Sequence, residues 1–396
     1  MPIVALYNPV CGDGTAKQVF EDTVLPLLEK GGISVSKVLV TERVEHAGQL
    51  LHDHLENLEG EATVILGSGD GTLHEIINYL STTEFKGSRA KAPPLSLRFA
   101  LVPCGTANAL YASLYPPTDP PVPEYNLQSV KAFINNSQTI PLTISITTIS
   151  SAPSERKKPQ ALVSAVVTSL ALHASILHDS EVLRAEYPGL ERYKVAASKN
   201  DTRWYHGHLK LLPTSSSSAQ QYNPVTKQFE EHDDSYEDSP VVDLYGPFAY
   251  FVSTVNVDRL EPAFRITPLA REHPTEKGSM DVVIVRPFRA PNITMDTEEL
   301  RKSFKDVVWG ALGAAYQNGG HVNLRYQKDG TVGLDGDGKF VVEYVRCGGW
   351  EWVPDDVDER AHLLCSDGAI AEIPKGGRAV STAATPTGNA GFKVFV

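Results

Sequence analysis

Short runs rich in β-branched and aliphatic residues alternate with apolar residues at helical spacing through the first 115 positions. Ile3–Tyr7, Val35–Thr41, Ala62–Gly67 and Arg98–Pro103 read as strands, while Ala16–Glu29, His46–Leu58, Thr72–Leu80 and Thr106–Leu114 read as helices with one apolar side. This alternation is that of βαβ units and predicts a doubly wound, Rossmann-like α/β domain over residues 1–135. Beyond Pro116-Pro117 and the prolines up to Pro123 the pattern changes. A helix over Leu127–Ile134 leads into strand candidates Thr139–Ile149, Ala161–Ala171, Gly207–Leu212, Val241–Val255, Met280–Arg286 and His321–Leu334, interrupted by one helix, Thr297–Tyr316. A β-rich, sandwich-like domain is therefore expected over 136–375. Ser215–Ser218 and the acidic run Glu230–Asp238 are too polar to order themselves, so a flexible loop is expected at about 213–240. Residues 376–396, small and polar as far as Phe392, read as a C-terminal tail.

The length of 396 residues exceeds what one hydrophobic core serves and agrees with two domains, three being the upper limit. With 41% hydrophobic and 21% charged residues the chain is globular rather than fibrous or disordered. A net charge of -12 argues against nucleic acid as a partner. Cys11, Cys104, Cys347 and Cys365 form no paired pattern, which excludes a disulfide framework and fits a reducing, cytoplasmic setting. The opening residues lack the basic stretch of a signal peptide. The uncharged stretch Ala161–Leu177 is broken by Ser164, Thr168, Ser169, His173 and Ser175 and falls short of the ~20 apolar residues of a membrane span. His52/His54 and His206/His208 lack a third ligand and do not read as metal sites. Arg156-Lys157-Lys158 reads as a solvated loop.

The chemistry is concentrated in three glycine turns, each after a predicted strand: Asn8-Pro9-Val10-Cys11-Gly12-Asp13-Gly14, Ser68-Gly69-Asp70-Gly71-Thr72, and Cys104-Gly105-Thr106-Ala107-Asn108. In a parallel sheet the strand C-termini share one edge, so the turns converge there. Glycine admits phosphate oxygens close to the backbone, and each turn opens a helix whose free N–H groups favour an anion. Singly, Asp70-Gly71 is an ordinary turn; three together predict a nucleotide polyphosphate cradle. G-x-x-x-x-G-K-[ST] is absent, and Thr72 occupies the last glycine position of G-x-G-x-x-G. Protein-kinase signatures are missing as well.

Four ordered blocks resemble the lipid kinases that phosphorylate diacylglycerol, sphingosine and ceramide. They are Tyr7-Asn8-Pro9 with Gly12 and Gly14, Thr41-Glu42-Arg43 with His46-Ala47, Ser68-Gly69-Asp70-Gly71 with His74-Glu75, and Pro103 with Gly105 and Asn108-Ala109-Leu110. The second and third are more similar to the sphingosine kinase branch. The resemblance is dense through Leu114 and sparse afterwards. It implies that Asn8, Thr41, Ser68, Glu75, Gly105 and Thr106 line an ATP site, together with Pro9, Gly12, Gly69, Gly71 and Thr72 of the turns, and that Asp70 is the general base. An alcohol attacking a γ-phosphoryl needs positioning, charge neutralisation and a carboxylate to take its proton, and Asp70 lies mid-cradle.

Further along, Asp179-Ser180-Glu181, Arg184 and Gly189-Leu190-Glu191-Arg192 look like the family segment in which two arginines reach the phosphates. Leu334-Asp335-Gly336-Asp337 looks like the family's Asp-Gly-Glu, with Glu shortened to Asp; a hairpin turn between Thr331–Leu334 and Lys339–Tyr344 reads equally well. Magnesium would be held mainly through ATP, with Asp70, Asp335 or Asp337 contributing. One departure concerns the acceptor: sphingosine and ceramide kinases carry an Asp where this chain has Ser175 or Leu177, so only Asp179 is left to substitute.

The expectation is an ATP- and magnesium-dependent lipid kinase acting on a sphingoid long-chain base, its site in the cleft between the domains and its acyl chain along Ala161–Leu172. Diacylglycerol or ceramide kinase, a kinase of a soluble alcohol or nucleotide, and a non-catalytic nucleotide- or lipid-binding protein are the alternatives. Because the first motif stands at the start, no targeting domain is expected before it; membrane contact would be transient and peripheral.

Overall fold

The computed structural model describes residues 2–58, 60–120, 122–187, 189, 191–235, 239–274, 277–385 and 391–396. β1 (Ile3–Tyr7), β2 (Lys37–Val40), β3 (Glu61–Ser68) and β4 (Ser96–Pro103) pair in parallel. Their crossovers are α1 (Ala16–Val19), which runs through a π-helical turn at Phe20–Val24 into α2 (Leu25–Lys30), then α3 (Ala47–Leu55) and α4 (Asp70–Thr82). α5 (Ala109–Leu114) and α6 (Gln128–Ile134) follow β4. The sheet is covered on both faces, as its unbroken apolar strands require. Val64 and Leu66 belong to the core with Leu51, Ile76 and Ile77, whereas the intervening Ile65 belongs to the core with Phe20, Val24 and Leu28. This domain is the doubly wound unit expected.

The second unit comprises β6 (Ile144–Ser150), β7 (Gln160–Ser164), β8 (Val167–Leu170), β9 (Gly207–Leu212), β10 (Gln220–Asn223), β11 (Gln228–Glu231), β12 (Val242–Tyr245), β13 (Tyr250–Thr254), β14 (Met280–Val285), β17 (Glu343–Cys347), β18 (Gly349–Pro354), β19 (Leu363–Ser366), β20 (Ala369–Glu372) and β21 (Arg378–Ala384). Eight strands in the order β11-β10-β17-β14-β13-β8-β19-β20 and six in the order β12-β9-β18-β21-β6-β7 form two antiparallel sheets. Rings meet across them: Phe251 on Trp350 at 5.3 Å and Phe248 on Trp352 at 5.1 Å, both tryptophans fully buried. The Trp350 indole N–H donates to Ser253 Oγ at 3.0 Å, satisfying its polar end. α7 (Ala171–Val182), α8 (Glu191–Asn200), the short α9 (Leu269–Glu272) and α10 (Glu298–Tyr316) complete the unit.

Several expected elements differ. Thr139–Ile149 is two strands, because Pro141 ends β5 (Thr139–Pro141) in the first sheet and β6 starts in the sandwich. Ala161–Ala171 and Val241–Val255 each break at a corner, so their halves pair in opposite sheets; the second break carries Gly246-Pro247, and the first is held by a distant carboxylate described below. A continuous apolar run does not disclose such a corner. In place of a strand over His321–Leu334 there is a 3-10 turn, Gly320–Asn323, and a small hairpin of β15 (Arg325–Tyr326) with β16 (Val332–Gly333). Asp335-Gly336 therefore does not join paired strands.

The loop expected at 213–240 contains the β10–β11 hairpin, paired to β17. Tyr222 and Phe229 meet at 5.6 Å with their rings tilted by 60°, and the acidic run is used: Asp234 pairs with Arg286 at 2.9 Å and Asp233 with Arg289 at 3.5 Å. Both arginines also grip the fully buried Glu343. Its carboxyl is held well below the usual carboxylate range: the two guanidinium charges outweigh the upward push of burial. Residues 236–238 of the acidic run lie outside the described residues.

The expected tail is also structured. β21 lies inside the six-stranded sheet, its small residues fitting a hydroxyl network in which Ser381 meets Ser145 and Thr147. β22 (Gly391–Phe395) returns to the first sheet, parallel to β4 and antiparallel to β5. Residues 386–390 lie outside the described residues. Phe392, Val394 and Phe395 are buried there, at about 1.5–3 kcal/mol each. That sum rivals a typical total stability of about 5–15 kcal/mol. Deleting residues 391–396 is accordingly expected to abolish cooperative melting of the α/β domain, measured by circular dichroism; an unchanged midpoint would show that β22 is dispensable.

Candidate active site

The three glycine turns touch. Gly12 has φ +57°, and a Cβ on it would stand 2.3 Å from the Cys104 carbonyl oxygen; a Cβ on Gly105 would stand 2.3 Å from Gly69 Cα. Glycine is required there by backbone contact. Asn8 links the first turn to the second: its Nδ2 donates to Thr72 Oγ1 at 3.4 Å, while its Oδ1 accepts from Val10 N–H beyond Pro9. Ser68 Oγ donates to the Gly69 carbonyl at 2.9 Å. Thr41, buried at the end of β2, donates its N–H to the Tyr7 carbonyl, and Glu75 accepts the Ala47 N–H at the start of α3. Gly71 and Thr106 are exposed on the rim.

Asn108 shapes the third turn. In the left-handed region at φ +52°, it receives the Gly105 N–H at 2.9 Å and returns a hydrogen bond to the Gly105 carbonyl at 2.7 Å. For this reason the helix expected from Thr106 begins at Ala109. Its first N–H groups are not left for an anion, since Ala109 donates to Asp70 Oδ2 at 2.7 Å and Leu110 to Oδ1 at 3.1 Å. Burial pushes the Asp70 carboxyl up to about 6; these two N–H groups oppose the rise and the charge of Asp367 adds to it.

Asp367 is the residue that sequence reasoning missed. It forms the β19–β20 turn with Gly368, both at positive φ, and reaches the cradle from the second domain. One oxygen receives the Ala165 N–H at 2.7 Å and the other the N–H groups of Val166 at 3.0 Å and Val167 at 2.7 Å. This carboxylate fixes the corner between β7 and β8. The usable signal was Ser366-Asp367-Gly368 between apolar runs, an Asp-Gly hairpin pattern as strong as the one chosen at Asp335.

Asp335, Gly336 and Asp337 are not brought to the cradle. They lie in the connection from β16 to β17, and β14, β13 and β8 stand between β17 and β19. The exposed Asp337 faces Lys328 at 3.7 Å. Arg184 donates twice to Glu181, at 2.9 and 2.7 Å, and Arg192 stacks on Tyr193 and donates to its hydroxyl at 2.9 Å with Glu181 3.7 Å away, while its buried Nε has no hydrogen-bond partner among the described residues. Leu190 lies outside the described residues. Asp179 accepts from Asn200, His178 and Arg360, each at 2.8 Å. Burial pushes its carboxyl up, but these hydrogen bonds outweigh it and hold it at about 2. Ser175 is fully buried, and Leu177 packs with Leu363 and Ile370. His52 stacks on Phe85, while His206 and His208 pair with Asp296 and Asp243.

A profile of the diacylglycerol kinase catalytic domain matches residues 2–139, the segment that supplies all three turns. The N-terminal domain belongs to the diacylglycerol and sphingosine kinase family. Rat sphingosine kinase 1 is 38% identical over 112 residues, covering 28% of this chain and 27% of that protein. The mitochondrial acylglycerol kinase of Xenopus laevis is 28% identical over 137 residues, covering 35% of this chain and 29% of that one. The chain thus spans under a third of the length of these relatives. A Bacillus anthracis structure described as a candidate diacylglycerol kinase superposes with a TM-score of 0.52 at 13% identity, over 99% of this chain and 94% of that one, and supports the two-domain fold.

The glycine contacts give a direct test of the cradle. Gly105→Ala forces backbone against backbone and is expected to weaken Mg-ATP binding at least about tenfold, the equivalent of 1.4 kcal/mol. Gly71→Ala meets nothing within 4 Å and is expected to bind within twofold of wild type, by calorimetric titration. Equal affinities for all three proteins would remove the cradle from the nucleotide site.

Proposed function

We propose that this chain transfers the γ-phosphoryl of ATP to a lipid hydroxyl, with a sphingoid long-chain base as the primary acceptor. The observation that carries this reading is the Asp70 carboxylate, set among three touching glycine turns and facing the second domain's Asp367. The polyphosphate is assigned to these turns, which Gly12, Gly69 and Gly105 allow to pack backbone against backbone. Asn8, Thr41, Ser68, Glu75 and Thr106 are assigned to the nucleotide. Asp70 and Asp367 offer hard carboxylate oxygens of the kind magnesium takes, and magnesium would supply charge neutralisation on the phosphates. Asp335 and Asp337 are not retained as donors, nor is any phosphate contact assigned to Arg184 or Arg192.

The role of the residues follows from their state. At neutral pH a carboxyl titrating at about 6 is mostly ionised yet more basic than an ordinary aspartate, which suits a group that accepts a hydroxyl proton as phosphoryl transfer proceeds. The two α5 N–H groups hold both oxygens in place without occupying every lone pair. Ala161–Leu172, which contains the corner capped by Asp367, is assigned to the lipid chain. Among the described residues no helix is long and apolar enough to cross a membrane, and we assign the lipid encounter to transient peripheral contact.

A neutral acceptor, diacylglycerol or ceramide, is the second reading. Asp179 is closed off by three donors, and Ser175 and Leu177 offer no carboxylate to a sphingoid ammonium.

Transfer of labelled phosphate from Mg-ATP to sphingoid bases, ceramide, diacylglycerol and monoacylglycerol in mixed micelles tests the proposal. Asp70→Asn is expected to lower kcat by about 10²–10⁴-fold while ATP still binds. Because the ionised form is active, the wild-type rate is expected to rise with pH through an apparent pKa near 6 and to level off above 7. No labelled lipid, or an Asp70→Asn rate equal to wild type, would refute the assignment.

A further inference from the structure

The α4 helix presents residues 70, 74 and 78 on one face, one turn apart. The first is the base. His74 Nδ1 lies 3.5 Å from Asp367 Oδ2, with both residues buried, and Asn78 Oδ1 accepts the Val163 N–H at 2.9 Å. Both contacts cross from the first domain to the β7–β8 corner of the second. Asp367 already holds the Ala165, Val166 and Val167 N–H groups of that corner, and Asn256 Nδ2 donates to the Ala165 carbonyl at 2.8 Å. The corner is therefore fixed within its own domain and offers α4 a rigid surface.

We propose that His74 and Asn78 are positioning residues: they dock α4 on the β7–β8 corner and so set where Asp70 stands relative to an acceptor held by the second domain. The cradle itself is built from first-domain turns, so docking governs the acceptor side and leaves the nucleotide side alone. This rests on the kinase reading above. Glu75, on another side of the same helix, ties to Ala47 within the first domain and takes no part.

The test compares His74→Leu and Asn78→Leu with the conservative variants His74→Asn and Asn78→Asp, which keep a polar group toward Asp367 or an acceptor toward Val163. Each leucine variant is expected to lower kcat about tenfold, since small displacements of reacting groups are costly, with Mg-ATP affinity within twofold of wild type. Hydrogen exchange at the Val163 amide, whose acceptor is on α4, is expected to accelerate at least fivefold while the Ala165–Val167 amides, held by Asp367, stay protected, and the conservative variants are expected to regain most of the lost kcat and protection. Unchanged kcat and exchange in folded leucine variants would overturn the proposal, as would a loss of ATP affinity equal to the loss of kcat. If the buried His74→Leu fails to fold, Asn78→Leu at its half-buried position decides. If wild type labels no lipid, the kinase reading fails by itself, and the exchange rates still decide whether α4 is docked through these two residues.

Discussion

Two backbones meet where Gly69 and Gly105 pass each other, and the geometry of the candidate site follows from that contact. β3 and β4 are neighbours in a parallel sheet, so their C-terminal turns emerge side by side. With glycine in both, the turns close to a separation that admits no Cβ. This brings the start of α4 against the start of α5 and allows the Asp70 carboxylate to cap the Ala109 and Leu110 N–H groups. A helix start that would otherwise attract an anion from solution is thereby neutralised by a residue of the chain. The cost is a buried carboxylate, and its raised pKa is the chemical return.

The β19–β20 hairpin makes the complementary arrangement in the second domain. Its Asp367 spends three hydrogen bonds on the β7–β8 corner, so its charge is stabilised by fixed dipoles rather than by a cation. Two carboxylates can then face each other across the cleft without either being lost to a lysine or arginine. The charge of Asp367 disfavours ionisation of Asp70, and it is this pair to which the proposed function assigns magnesium. Contrast Asp179, Asp258 and Glu343, whose partners are arginines already in place. Asp70 and Asp367 differ from these in being held by backbone N–H groups, with His74 rather than an arginine beside Asp367.

The α/β domain was legible because its signals are local: apolar strands, helical spacing and glycine turns all lie within a few residues of the elements they define. The glycine turns that form the candidate site were legible for the same reason. The sandwich was harder, since the runs at Ala161–Ala171 and Val241–Val255 look continuous until a corner sends their halves to different sheets. The β21 strand was obscured by small and polar residues whose use, a buried hydroxyl network, depends on partners some 230 residues away in sequence. Asp367 was obscured by competition, because the chain contains six Asp-Gly pairs and only the sheet order separates the one between β19 and β20 from the one that leads into β17. The acidic run near 233 read as solvated because its arginine partners, Arg286 and Arg289, are more than 50 residues downstream.

The path of the chain bears on how the cleft can work. It leaves the α/β domain once, between β5 and β6, and returns once, from β21 to β22, and β22 lies between β4 and β5. The two domains are thus joined by two connections whose ends are adjacent in one sheet, which restricts their relative motion more than a single linker does. Asn256 reinforces the first connection by bonding Thr143 on both its N–H and its carbonyl. With hinge freedom limited in this way, small shifts of the β7–β8 corner against α4 are the remaining means by which the two domains move at this contact. On the proposed kinase reading, His74 and Asn78 would therefore matter to the reaction although they lie away from the glycine turns.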